Sequence, residues 1–484
     1  MSEPKRMHPA GILFNFFKVL RETIFPIVFG FVTFRNESMI YFLLAGAAVL
    51  VIMIVSSILS WYRFTYRVED GELRIEYGVF IRKKRFISVN RIQSIDLTSG
   101  VIHRVFGLTK VQIETAGSGM QAEASLKAVK LPEAEQLRDE LKSKLEGDLE
   151  ESLDRAEEES EDSSHRITFQ RLFLAGTTSG SAGVVLAVFA FFFSQIQQFI
   201  PERFYDSTVD WVVGLSIVLL VGFGILVLLL LWVLGIAGTM LKYGNFTITK
   251  KGDELFITRG LLEKKQITIP LKRIQAVGFA ESPIRQPFGY ASVFAEVAGG
   301  SLDKGEEFST VLFPIMKREE VEPFLQDILP DYAGIQEGFE PLPRRAGKFY
   351  MLRAVLPFLL VGAVIWFVFS PLLWAVLLLA TAALCYGYLQ YRDTGFLVKG
   401  NRLSMRYRTF GRITVRMFHK RVQAFEIRQH KLQQMQSLAT QKVSIIGKFG
   451  AGKHYYLKQL DESDAIRLAE WYSYRDGEGQ KMDQ

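Results

Sequence analysis

"RIQSI" (Arg91–Ile95), "RIQAV" (Arg273–Val277) and "RVQAF" (Arg421–Phe425) are three spellings of one element, each just after a strand-like stretch. A second matching position follows each Gln by 14 residues: Gln93 to Gly107, Gln275 to Gly289, Gln423 to Ser437. A long apolar segment lies ahead of each element. Recurrence over so long a period marks repeated domains, and 484 residues accommodate about three. The chain is therefore read as three copies of one module, a membrane hairpin followed by a strand-rich soluble domain.

Charge-free runs place the membrane segments. Ser38–Tyr62, Leu172–Ile200 and Trp211–Leu241 carry no charged residue, and each suffices for one crossing. Ala354–Tyr391 is charge-free for 38 residues, about 57 Å of helix, too long for one crossing. Ser370-Pro371 near its middle permits a break, so two short spans are expected. Phe14–Phe34 completes the first pair only if Lys18 and Arg21 snorkel; an interfacial amphipathic helix is the alternative. Gly176-x-x-x-Gly180 is a small-residue pattern suited to helix–helix contact. The N-terminal "MSEPKRMHPAG" does not read as a cleavable signal.

Three hairpins put all three soluble domains on one face. The loops Arg35–Ser38, Ser194–Asp210 and Ser370-Pro371 hold only Arg35 and Arg203 as basic residues. Lys5, Arg6, Arg63, Arg67, Lys242, Arg353 and Arg392 flank the spans on the other side. This is the positive-inside pattern, so the soluble domains are expected in the cytoplasm of a cell-membrane protein. The net charge of +7 fits a protein held beside anionic lipid. No base-reading motif is present, and no nucleic-acid partner is expected. The single cysteine, Cys385, lies in an apolar run, allows no intramolecular disulfide and reads as a small buried side chain.

Each soluble domain opens with two alternating strands around a Gly-containing turn, at Glu69–Gly71, Lys250–Asp253 and Lys399–Asn401. A third strand (Arg85–Val89, Gln266–Ile269, Ile413–Phe418), the Arg-x-Gln element, further strands and a closing amphipathic helix come next. The helices are marked by Leu137 and Leu141; by Val321, Phe324, Leu325 and Ile328; and by Ile466, Leu468, Ala469, Trp471 and Tyr472. The expected fold is α+β: three transmembrane hairpins, each followed by a partly open antiparallel barrel capped by a C-terminal helix. The hairpins are assigned to residues 12–62, 166–241 and 349–391, and the soluble domains to 63–145, 242–330 and 392–476. Linkers occupy 146–165 and 331–348; the first holds one basic residue among ten acidic ones between Glu146 and Ser164 and reads as a solvated tether.

The pattern from Gly78 to Ile95 and from Arg104 to Gly117, repeated at Gly260–Val277 and Arg285–Gly299, resembles the bacterial pleckstrin-homology-like membrane proteins of the YdbS/YdbT type. The third copy departs from it: "QMQSLATQKVSII" (Gln434–Ile446) lacks the Phe-Gly pair. The resemblance implies a pleckstrin-homology-like (PH-like) barrel and a smaller single-domain companion as partner. Self-association is a second option.

No catalytic, cofactor or metal set is legible. "GKFGAGKH" (Gly447–His454) approaches a P-loop but ends in His454, which lacks the Mg²⁺-binding hydroxyl, and joins two strands. The six histidines show no ligand spacing. Basic clusters are the candidate contacts for anionic head groups or a protein partner. They are Arg82, Lys83, Lys84 and Arg85 in the first domain; Lys264 and Lys265 in the second; and Arg402, Arg406, Arg408, Arg412 and Arg416 in the third. Each charge held at an anionic leaflet is worth about 1 kcal/mol. The repeat signature (Arg91, Gln93, Arg273, Gln275, Arg421, Gln423) reads either as structural, with Ile92, Ile274 and Val422 plugging the barrel and the Gln capping backbone groups at a turn, or as functional, with the Arg facing a ligand or partner. The expected function is non-enzymatic: a scaffold binding lipid, protein or both, with membrane protection as an extension. A six-span transporter or channel with regulatory cytoplasmic domains is the alternative.

Overall fold

The computed structural model describes residues 4–33, 39–69, 71–115, 124–150, 163–179, 217–299, 309–334, 338–368, 371, 373–447 and 452–473. Three short strands precede the hairpins or the described parts of them, and six strands come after each. The first module holds β1 (Lys5–Arg6), β2 (Thr65–Glu69), β3 (Glu72–Tyr77), β4 (Lys83–Ser88), β5 (Ile92–Ser99), β6 (Leu108–Thr115) and β7 (Ala124–Lys130). The second holds β8 (Ser163–Arg166), β9 (Thr247–Lys251), β10 (Glu254–Arg259), β11 (Lys264–Pro270), β12 (Ile274–Glu281), β13 (Tyr290–Val297) and β14 (Thr310–Lys317). The third holds β15 (Glu340–Pro341), β16 (Gly395–Lys399), β17 (Arg402–Arg408), β18 (Arg412–Phe418), β19 (Val422–Arg428), β20 (Leu438–Ile446) and β21 (Gly452–Asp461). The pre-hairpin strands pair with the first strand after the hairpin: β1 with β2, β8 with β9, β15 with β16. Two or four residues long, they leave too little alternation to be legible in the sequence.

The Arg-x-Gln element is a corner. In each module a 3-10 turn (Val89–Arg91, Leu271–Arg273, His419–Arg421) carries the chain from the third strand to the fourth. The Gln is the extra residue of a bulge in all three copies, with register shifts between Ile92 and Ser94, Ile274 and Ala276, and Val422 and Ala424. A bulge bends and twists the strand that holds it. The chain thereby leaves one sheet and enters another. Gln275, nearly fully buried, donates from Nε2 to the Arg273 carbonyl at 3.1 Å, tying the corner.

The chain divides into two compact units, residues 1–162 with 256–270, and residues 163–255 with 271–484. In the first, β1-β2-β3-β4 form one antiparallel sheet, and β7-β6-β5-β11 are successive neighbours in another. Leu73, Ile75 and Ile87 from the first sheet pack with Ile95, Val111 and Leu126 from the second and with Leu137 and Leu141 of the closing helix Leu131–Glu150. In the second unit the antiparallel order is β14-β13-β12-β18-β17-β16-β15, with β19-β20-β21 as a separate sheet. The third-module core gathers Phe396, Leu403 and Val415, Val443 and Leu457, and Ala465 and Leu468 of the closing helix Glu462–Ser473. Ile466, expected on the inner face, is 49% exposed, because the buried side of that helix runs through Ala465 and Leu468. In the second module Val321, Phe324, Leu325 and Ile328 of helix Arg318–Ile328 are buried as their spacing indicates.

Mixed helix and antiparallel strand make an α+β membrane protein, and among the described residues no barrel closes. The opening lies between the third and fourth strands. There the fourth strand of one module takes the third strand of the next as its neighbour: β5 takes β11 and β12 takes β18.

Four helices among the described residues are long and apolar enough to span: Leu44–Tyr62, Val221–Tyr243, Ala346–Phe367 and Leu373–Asp393. Their outer faces carry exposed apolar side chains such as Leu228 and Leu360, as lipid contact requires. Cys385 is also exposed. It lies on the outer face of its span, so apolar surroundings there mean bilayer and not core. Gly11–Thr33 is one continuous helix set against helix Met39–Tyr62, with Asn15 Nδ2 donating to Ser60 Oγ at 3.3 Å. Gly176 faces Ile236, where an added Cβ would meet that residue's Cα at 3.1 Å, so this small residue serves contact within the hairpin. Residues 180–216, with the rest of Leu172–Ile200 and the expected outer loop, lie outside the described residues, as do 151–162 of the acidic linker. The stretch 331–348 is partly built into the second unit: Tyr332 is buried and donates from its hydroxyl to the Ile274 carbonyl at 3.1 Å.

Candidate lipid-facing site

Apolar tips recur at one place in every module. The loop from second to third strand exposes Phe80 and Ile81, Leu261 and Leu262, and Phe410; Phe80 is wholly exposed and Phe410 80% exposed. Phe80, Leu262 and Phe410 each stand eleven residues before the repeat arginine. Gly78 and Gly260 shape the first two tips at φ 115° and 102°; a Cβ there would lie 2.0 Å from the Ile81 carbonyl oxygen and 1.9 Å from that of Glu263.

Cations flank these tips. Arg82, Lys83, Lys84 and Arg85 are all exposed. Arg82 pairs with Glu76, and Lys84 lies 3.6 Å from it. The Arg82 hydrogen bond holds the Glu76 carboxyl below its usual range. Lys264 is exposed, while half-buried Lys265 lies 3.8 Å from Glu263. In the third module the tip is fastened to a span. Tyr386 donates to the Thr409 carbonyl, and Gln390 Nε2 donates to the Arg408 carbonyl at 3.3 Å. Both donors sit on helix Leu373–Asp393. Tyr386 is about 10 Å back from the helix end at 1.5 Å per residue, so the tip lies alongside the span.

A second apolar group follows each fourth strand. Val105 and Phe106, Ile284 and Phe288, and Leu432 and Met435 are exposed on short helical turns. In the first unit this turn meets the hairpin through His103, stacked on Phe14 at 3.9 Å between centroids and donating from Nε2 to the Lys127 carbonyl at 3.0 Å. Burial pushes the His103 pKa below its ordinary value.

In the second module Arg285 takes that place. It is 9% exposed and donates to Thr178 Oγ1 at 2.8 Å, Ser292 Oγ at 2.5 Å, and the carbonyls of Ala175 at 3.1 Å and Pro314 at 3.3 Å. Four of the five N–H groups of a guanidinium are thus used, and one is left over. Desolvation lowers the Arg285 pKa from its usual value. This arginine lines a cavity of about 690 Å³ where helices Phe169–Thr177 and Ile217–Tyr243 meet the sheet. Lys242, Lys453 and Glu296 line the cavity too. Glu296, 1% exposed, accepts from Ser309 Oγ at 2.7 Å and the Tyr455 hydroxyl at 2.9 Å, with Lys453 Nζ 3.7 Å away. Burial, reinforced by Glu296, raises the Tyr455 pKa. Three cations around one satisfied carboxylate leave the cavity suited to an anion, and its size is that of a small-molecule site.

The third-module arginines lie elsewhere than expected. Arg408 is buried and donates from Nε to Asp393 at 2.5 Å. Arg412 and Arg318 both pair with buried Glu281. Arg416 is buried against Glu322 and donates to the Tyr332 carbonyl at 3.0 Å. Arg406 donates to the Asp393 carbonyl at 3.0 Å and lies over the Phe339 ring; Arg402 donates to the Ala333 carbonyl at 2.6 Å. These five are engaged inside the protein, so the cationic surface expected there is not displayed. The acids of Arg412 and Arg416, Glu281 and Glu322, belong to the second module and are remote in sequence, whereas Asp393 of Arg408 lies in the third. The arginine of the signature varies, with Arg91 exposed and Arg273 donating to the Ala298 carbonyl at 2.8 Å; Arg421 is partly buried and Gln423 exposed. The "GKFGAGKH" segment joins paired strands, with Ile446 opposite Gly452, and residues 448–451 lie outside the described set. Among the described residues no group of three or more His, Cys, Asp or Glu is placed to hold a metal.

The family model for the bacterial PH domain matches residues 23–145, 208–331 and 353–476, once per module. The chain belongs to that family. It is 34% identical over 494 aligned positions, 99% of this chain and all of the relative, to the UPF0699 transmembrane protein YdbT of Bacillus subtilis (strain 168). A 76-residue stretch is 29% identical to the UPF0699 transmembrane protein YdbS of the same organism, covering 45% of that protein. No solved structure matches. This bacterial PH-domain protein is thus a three-repeat membrane protein of the UPF0699 family.

Proposed function

We propose that this protein is a non-enzymatic, membrane-anchored scaffold that holds its PH-like modules against the anionic cytoplasmic leaflet of the cell membrane. The observation that carries this reading is the third tip, which sets Phe410 beside a spanning helix through Tyr386 and Gln390. The same tip position is apolar and exposed in all three modules, with lysines and arginines at the first two. Apolar side chains flanked by cations favour the boundary between acyl chains and head groups. The cavity beside Lys242, Arg285 and Lys453 then receives an anionic head group at the hairpin end. Span-flanking charge supports the cytoplasmic orientation.

The full chain in nanodiscs tests this. In a Cys385→Ser background, a spin label at Phe410→Cys is expected to be relaxed more by oxygen than by a water-soluble nickel chelate. Native mass spectrometry is expected to show retained phosphatidylglycerol, reduced in Lys242→Gln/Lys453→Gln. A label relaxed mainly by the nickel chelate overturns the membrane contact. Equal retention by the variant overturns the cavity assignment.

A further inference from the structure

Both internal module junctions obey one rule. At each, the third strand of the later module lies antiparallel to the fourth strand of the earlier one: β11 beside β5, β18 beside β12. The register is the same. Lys264 faces Ser99 and Arg412 faces Glu281, so the position nine before one repeat arginine meets the position eight after the preceding one. Three modules in a row leave two ends of this series. The third strand of the first module, β4, ends its sheet, and so does the fourth strand of the last module, β19.

These end strands are exposed where their internal counterparts are buried. Phe86 on β4 is 56% exposed, while Thr268 and Arg416 at the same repeat position are 5% and 4% exposed. Ile427 on β19 is 40% exposed, against 2% and 5% for Leu97 and Phe279. An edge strand with apolar side chains outward is a template for another strand.

We infer that β4 of one molecule docks antiparallel onto β19 of a second copy, extending between chains the junction already used twice within the chain. Continued in the shared register, the rule places Arg85 opposite Glu426 and Phe86 opposite Phe425. Directly opposed opposite charges and aromatic pairs stabilise antiparallel strands. Lys83 falls opposite Arg428, and Glu426, which Arg428 and Lys442 already approach at 2.5 and 3.3 Å, is shared with the incoming Arg85. Each chain carries one edge of each kind, so the contact is head-to-tail. Such a contact closes a ring or propagates as a row. A hairpin accompanies every module, so the added copy sits in the same membrane.

The test uses full-length chains in a Cys385→Ser background, with two differently tagged copies co-expressed in membranes. One carries Arg85→Cys and the other Glu426→Cys. Mild oxidation is expected to give a species of twice the chain mass carrying both tags. The slipped pair, Arg85→Cys with Ile427→Cys, points to opposite faces and is expected to give none. Without cysteines, Arg85→Glu or Glu426→Arg alone is expected to reduce co-purification of the two tags several-fold, and the double reversal in both copies to restore it. Absence of the 85–426 link overturns the inference. So does equal linking of the slipped pair, linking at the mass of one chain when both cysteines share it, or capture of only a smaller protein. A double reversal that stays as weak as the singles overturns the register.

Discussion

β4 and β18 are the same strand of two modules, both rich in cations, and they meet opposite fates. Lys83, Lys84 and Arg85 on β4 are exposed at the edge of a sheet. On β18, Arg412 is neutralised by Glu281 of β12, the neighbouring strand from the preceding module, and Arg416 by Glu322 of that module's closing helix. Basic sequence alone therefore does not mark a ligand surface in the third module. What distinguishes the two strands is whether a module precedes them.

The contrast is sharpest at the acids. Glu281→Gln is expected to destabilise the protein by about 3 kcal/mol, since it leaves Arg412 and Arg318 beside a neutral group in a largely buried site. Glu76→Gln, at the exposed partner of Arg82 and Lys84, is expected to cost under about 1 kcal/mol. Thermal unfolding of the two variants in detergent measures the difference, and equal losses would erase the distinction. Next in size, Gly260→Ala is expected to cost about 2 kcal/mol, because its φ of 102° and the Glu263 carbonyl leave no room for a Cβ. The third module has Arg408 at the corresponding position, so its tip tolerates side chains, and Thr409→Ala should leave the melting temperature within a degree or so of wild type.

The hairpin attachments give a third contrast. His103 joins the first module to its hairpin helix; Arg285 serves the second. With the folded pKa of His103 below 6.5, the neutral ring is the form the fold prefers. Its stabilisation is present above pH about 6.5 and is lost as pH falls through the lower folded value. Lys110 opposes the charged form and Glu263 favours it, both less strongly than burial acts. Proteolysis within the first module is therefore expected to accelerate from pH 7.5 to 5.0, with His103→Gln flattening that dependence and the second module unaffected. The smallest effect concerns the position 14 residues after the signature Gln. Gly107, Gly289 and Ser437 all adopt positive φ, at 64°, 68° and 47°. Ser437→Gly is expected to gain about 0.5 kcal/mol, read as a small rise in melting temperature.

Much of this architecture was legible because it depends on local pattern. Three recurrences of Arg-x-Gln with a left-handed position 14 residues on declare the modules, and both features turn out to be backbone devices, a bulge and a turn. The amphipathic spacing of Val321, Phe324, Leu325 and Ile328 declares a buried helix face. The candidate site was legible only in part. The tips are easily missed because two exposed apolar residues in a turn carry no periodicity; their recurrence eleven residues before each repeat arginine was the available signal. Arg285 was hidden inside a family motif, and Glu296 in a strand of ordinary alternation.

By itself the sequence determined the number of modules, the apolar helices and the strand-rich character of the domains behind them, because periodicity and hydrophobic length act over neighbouring residues. Only the tertiary structure decided that a module's third strand is completed by its predecessor, and hence which cations are cancelled and which edges stay open. Edge hydrogen bonding reads backbone, which every sequence supplies alike, and a salt bridge between Arg416 and Glu322 spans 94 residues of chain. Such choices are fixed by which surfaces folding brings together.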